Sequence, residues 1–172
     1  MIAMKRPIPS ASNLRDIAAL AVFAALMVVL KEALAFLPNI EVVTLLVILC
    51  TVFFGWKTLL PVTVFTLIEG MLYGIHYWWF AYLYIWPLLV ALVMLLRRWS
   101  HPLLWTIVAG FFGLLFGSLS AIPYFITGGL GAGFGYIVAG IPFDLAHTFG
   151  NILSVALLYY PLEKILKKIL HQ

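Results

Sequence analysis

The side chains best able to do chemistry in this chain lie in residues 141–151, IPFDLAHTFGN, where Asp144, His147 and Asn151 follow at spacings of three and four. On a helix those spacings bring a carboxylate, an imidazole and a carboxamide onto one face within two turns. Inside a bilayer such groups are costly, and when they cluster they face a cavity or a partner rather than lipid. Two readings fit: contacts to a bound small molecule, or an interhelical hydrogen-bond network. Metal ligation by Asp144 with His147 needs a third ligand, Glu69 or His76, from another helix. The chain has no His-x-x-His pair and a single cysteine, Cys50, so a metal centre is disfavoured and an internal disulfide is excluded. Cys50 sits in an apolar run and reads as a buried, inert thiol.

Further polar and aromatic side chains collect near the same level. Lys31, Glu32, Asn39 and Glu41 fall at the junction of the first two apolar segments, and Glu69 with Tyr73 near the end of the third. Residues 74–86, GIHYWWFAYLYIW, then bring His76, Tyr77, Trp78, Trp79, Tyr82, Tyr84 and Trp86. Stacking surfaces with a few fixed polar groups make a small-molecule site, although Trp and Tyr also gather at membrane interfaces. The candidate binding set is Asp144, His147, Asn151, Glu69, His76, Trp79, Tyr73, Tyr82, Tyr84 and Asn39. Glu69 serves equally well as a structural partner of Lys31 or His76, and Lys31 and Glu32 as a rim pair.

The elements that must position these groups are apolar helices. Of the 172 residues, 65% are hydrophobic and 9% charged, against about a quarter charged in a soluble domain. With a mean hydropathy of +1.14, the chain reads as an all-α integral membrane protein, a single domain over residues 1–172. The net charge of +4 comes from too few basic residues, without a patch, to imply nucleic acid. Spans are expected at about 17–37, 40–54, 58–73, 78–96, 102–126 and 142–160. The second is short and needs shelter from its neighbours. Pro38-Asn39 and Gly55-Trp56-Lys57 mark turns. Gly113, Gly117 and Ala121 form a small-residue ridge that lets another helix approach. Residues 127–135, TGGLGAGFG, read as a flexible outer loop with the role of a lid; they lack a nucleotide-binding signature. Pro142 is expected at a helix start and Pro161 at a helix end, with residues 162–170 as a separate amphipathic helix on the cytoplasmic surface.

Of the ten Lys and Arg residues, only Lys31 falls away from the side that holds both tails and the turns at Lys57 and Arg97-Arg98. Positive residues mark the cytoplasmic side. The expectation is a compact six-transmembrane-helix bundle, N-in and C-in, with a polar pocket in the outer half and an apolar floor. A cleaved signal peptide, with Lys5 and Arg6, an apolar stretch from Ile17 to Leu30 and Ala33-Leu34-Ala35 as its site, would leave an odd number of spans and fits the charge bias less well.

Taken together, IAALAVFAALMVVLKEAL at residues 17–34, GIPFDLAHTFGNILSVALLYYPL at residues 140–162 and the six-helix pattern resemble the S component of energy-coupling factor (ECF) vitamin transporters. The resemblance covers nearly the whole chain. It implies a subunit of the bacterial cell membrane that binds a vitamin or precursor rather than an enzyme. Cofactors are absent from this chain itself, ATP being used by two cytoplasmic ATPases that act with a shared T component. It also implies that Ala21-x-x-x-Ala25 docks the T component; by spacing alone, Ala21 and Ala25 allow a close helix contact of any kind. No substrate-diagnostic set for riboflavin, thiamin, biotin or folate is present, and the Tyr and Trp content favours an aromatic ring. Two other classes compete. A stand-alone secondary carrier would need no partners. A rhomboid-like intramembrane serine protease would pair Ser118 or Ser120 with His147, but Gly117-Ser118-Leu119-Ser120 lacks the glycine that closes G-x-S-G.

Overall fold

A computed structural model describes residues 14–37, 39–99 and 101–170. The basic tail expected over residues 1–13, with Lys5 and Arg6, and Pro38 of the first turn lie outside the described residues. Among the described residues six α-helices follow in order: α1 (Leu14–Ala33), α2 (Val43–Phe54), α3 (Leu59–Tyr73), α4 (Tyr77–Leu96), α5 (Pro102–Ser120) and α6 (Ile122–Leu170). Short 3-10 turns at Gly55–Thr58 and Arg97–Trp99 extend α2 into α3 and finish α4. Among the described residues four helical stretches are long and apolar enough to cross a membrane: Val43–Tyr73, Tyr77–Trp99, Pro102–Ser120 and Ile122–Leu170.

That is fewer than the six separate spans expected. The first, α1, carries Arg15, Asp16, Lys31 and Glu32 at its two ends. The second and third, α2 and α3, have only 12 and 15 residues and are joined through the 3-10 turn. At 1.5 Å per residue α2 is about 18 Å long, well short of a hydrocarbon core of about 30 Å. It is apolar all round, and its neighbours bury every residue except Phe53. Glu41 fixes its start, accepting from the otherwise free Thr44 N–H at 3.0 Å and from Thr44 Oγ1 at 2.5 Å.

Several boundaries differ from the sequence expectation. Helix α1 stops at Ala33 rather than near residue 37, where Leu34 N–H already turns back to Leu30 O and Leu37 N–H to Leu34 O. The glycine-rich stretch 127–135 is helical, not a flexible loop; only Gly129, with φ 72° and ψ −170°, leaves the helix. Positive φ suits glycine, and the chain reverses there. Residues 130–170 run back antiparallel to α5, bringing Tyr159 to Trp105 (ring centroids 6.4 Å apart), Asn151 to Ala109 and Asp144 to Gly117. Pro142 therefore lies inside the helix and does not start it. Pro161 does not break it either, and residues 162–170 continue α6 instead of forming a separate helix. A helix in apolar surroundings has no water to take over its backbone hydrogen bonds, so losing one bond at a proline is less costly than ending there. Glu163 is buried with Leu162, Leu166 and Leu170 turned toward the core, while Ile165 and Ile169 are exposed.

The ridge on α5 does what its spacing suggests. A Cβ added at Gly113 would meet the backbone of His147 and Thr148, and one at Gly117 would strike the Asp144 carboxylate. The outside of the bundle is largely apolar, with Val22, Val29, Met71, Leu95, Phe111 and Leu157 all exposed. Such a surface is compatible with a multi-pass membrane protein. The two ends of the bundle differ in chemistry. At one end Lys57 Nζ lies 2.8 Å from Asp16 Oδ2, and the Arg97 guanidinium lies close over Gly55. At the other, α1 and α3 finish side by side, with Lys31 against Glu69.

Candidate functional site

The second end contains an open cavity of about 340 Å³. Its walls come from the end of α1 and the segment after it (Lys31, Leu34, Asn39, Glu41), from Phe65 and Tyr73 of α3, Tyr82 and Trp86 of α4, Phe116 of α5 and His147 of α6. A recess of about 240 Å³, lined by Lys31, Glu69, Tyr73, Trp78 and Tyr82, adjoins it through shared walls.

Two ionic groups fix this end. In the first, Lys31 Nζ sits 2.5 Å from Glu69 Oε2 and 3.1 Å from Glu32 Oε1, and 4.6 Å from the centre of the Tyr73 ring. Tyr73 OH donates to Glu32 Oε2. Glu69 and Tyr73, one turn apart on α3, thus meet the two successive charges that close α1. In the second, His147 Nε2 lies 3.0 Å from Glu41 Oε1, the same carboxylate that starts α2. Phe116 and the imidazole pack in a T-shaped arrangement, with centroids 4.8 Å apart. Between the two groups Phe65, Tyr82, Trp86 and Phe116 form a continuous aromatic wall, Phe65 stacking on Tyr82 at 6.0 Å and Trp86 touching both Phe65 and Phe116. Trp86 Nε1 and Glu69 Oε1 are buried there without a hydrogen-bond partner.

Of the residues expected to bind substrate, His147, Glu69, Tyr73, Tyr82 and Asn39 line these spaces. The other five are placed elsewhere. Asp144, His147 and Asn151 do share the buried face of α6, but only His147 reaches the cavity. Asp144 Oδ1 accepts from Gly117 N–H at 2.8 Å, and Asn151 Nδ2 donates to Ala109 O at 3.2 Å, so both tie α6 to α5. Trp79 Nε1 donates to Thr66 O at 2.8 Å and its ring covers Gly70. Tyr84 OH donates to Leu119 O at 2.6 Å. His76 is exposed just before α4. A three-dimensional site needs neighbouring helices as well as a shared face, and spacing along α6 alone does not say how deep α5 comes in.

Phe65 and Phe116 belong to the site without having been singled out for it, and Trp86 and Glu41, named near it from the sequence, belong to it without having been placed in the binding set. A signal for two of them was present. Phe65, Glu69 and Tyr73 recur every four residues, as do Tyr82 and Trp86, which puts each set on one helix stripe. Among the described residues, no group of three His, Cys, Asp or Glu side chains could hold a metal ion. Nor does any hydrogen bond join His147 to Ser118 or Ser120 among them, His147 being engaged by Glu41. The chain matches no protein-family model, no curated protein and no solved structure.

Proposed function

We propose that this chain is the substrate-binding membrane subunit of an ECF-type importer, capturing a vitamin or vitamin precursor with an aromatic ring and passing it to an ATP-driven module. The observation that carries this reading is the one-sided cavity. Charged and aromatic side chains line one end, while the interior beyond it is filled by Ile48, Leu49, Leu89, Val90, Val93 and Trp105, each fully buried. A channel needs polar groups through the whole thickness; a pocket with an apolar floor binds and holds. Lys57, Arg97 and Arg98 collect at the opposite end, and Lys164, Lys167 and Lys168 follow Tyr159 toward it. By the positive-inside rule that end is cytoplasmic and the cavity opens outward, in a bundle that crosses six times with both termini inside.

Partner docking has its own support. Ala21 and Ala25 are both exposed on α1, one turn apart. They leave a face on which a T component can approach closely. With that T component and two cytoplasmic ATPases supplying the energy, this chain contributes recognition alone. Replacing both alanines by Trp is expected to spare ligand binding while abolishing uptake and co-purification with the T component. Co-purification that survives the double substitution refutes the docking assignment. Uptake by liposomes that contain this chain and no ATPase would make it a stand-alone carrier instead.

A further inference from the structure

We infer that the cavity selects an organic cation, a ligand with a positively charged nitrogen beside an aromatic ring. The inference rests on the capture reading and names the class of molecule captured.

Charge balance in the site points to it. Glu41 and Glu69 line the two adjoining spaces, one each, and Glu32 neighbours them through Lys31 and Tyr73. Against these three carboxylates stand Lys31 and His147. Two partners for three carboxylates leave one over. An uncompensated charge at a buried position is costly, and intramembrane carboxylates are stable when paired. The surplus has a location as well as a sign. Glu69 is fully buried, Lys31 holds its Oε2, and Oε1 has no partner. That oxygen belongs to a side chain lining the recess beneath Lys31, Tyr73, Trp78 and Tyr82.

The walls suit the same ligand. Aromatic faces attract cations, most strongly when desolvated, and Lys31 already sits over the Tyr73 ring in this way. Tyr82, Trp86, Phe65 and Phe116 offer further rings along the larger space. Trp86 Nε1 is a buried donor without an acceptor in this same aromatic wall. A bare inorganic cation would leave that donor and most of the aromatic wall unused.

The test uses the full chain purified in detergent, with benzyltrimethylammonium and benzenesulfonate as probes of opposite charge and similar size. Saturable quenching of tryptophan fluorescence is expected for the ammonium, at least tenfold tighter than for the sulfonate. Glu69→Gln and, separately, Glu41→Gln are each expected to weaken ammonium binding by fivefold or more. Equal or tighter binding of the sulfonate overturns the cation inference and leaves the capture reading intact, since a ligand still binds. Binding of neither probe overturns the inference, and if no small molecule is retained on purification either, the capture reading falls with it. The comparison of the two probes is made on the unsubstituted protein, so it stands even if a glutamine variant fails to fold.

Discussion

Gly113→Ala tests whether the site depends on the close approach of α5 and α6. The new Cβ would lie 2.8 Å from Thr148 N and 2.9 Å from His147 C, both backbone atoms that cannot rotate away. Comfortable contacts between such atoms are about 3.5–4.0 Å, so the helices must part by roughly 0.7–1 Å. His147 moves with its backbone, and its 3.0 Å contact to Glu41 stretches beyond hydrogen-bonding range. Overpacking of this kind costs about 1–3 kcal/mol, and the lost pair adds about 1 kcal/mol. Alanine's better helix propensity returns about 1 kcal/mol. The net loss, about 1–3 kcal/mol, is a factor of roughly 5 to 150 in the folded population. Gly131→Ala is the control: nothing lies within 4 Å of its would-be Cβ, so only the propensity gain applies. The assay is reversible denaturation in detergent micelles, followed by tryptophan fluorescence. Gly113→Ala is expected to unfold well before the unsubstituted protein and Gly131→Ala no earlier than it. Equal stability of the two variants would refute the packing argument.

Other expectations follow from the same contacts. A double-mutant cycle of Glu41→Gln and His147→Leu should give a coupling of about 1–3 kcal/mol, measured by the same denaturation; additive effects would mean the pair contributes nothing. Asp144→Leu and Asn151→Leu should each lower stability by about 1–3 kcal/mol, because each removes a buried hydrogen bond that ties α6 to the backbone of α5. Ligand affinity, measured by calorimetry, should change less than twofold in both, and a tenfold loss would place these residues at the ligand after all. Tyr73→Phe removes the hydroxyl that holds Glu32 but keeps the ring beneath Lys31; affinity should fall by about 1 kcal/mol or less, and a larger loss would show that the hydroxyl itself meets the ligand.

The helical class and the polar end were legible because both follow from residue chemistry alone. Apolar runs have no choice but helix in lipid, and Lys31, Glu41, Glu69 and His147 stand out in such runs wherever they fall. The reversal at Gly129 was harder to place. Six glycines crowd residues 128–140, and only the packing of Phe125 and Tyr124 against the returning helix selects which one turns. Pro142 and Pro161 misled because their rules come from proteins in water, where a broken backbone bond is readily resolvated. The role of Asp144 was also hidden, since the sequence cannot show that Gly117 presents its N–H to that carboxylate. Trp86 and Phe116 looked like ordinary core or interface aromatics; only the gap between them and the segment 34–41 makes them walls.

The most direct measurement is native mass spectrometry of the chain released from detergent after expression in cells grown on rich medium. One small molecule bound per chain is expected, retained by Asn151→Leu and lost from a Tyr82→Ala, Trp86→Ala double variant that still unfolds cooperatively. A bare protein mass from the unsubstituted chain, or equal retention in the double variant, would contradict capture at this cavity.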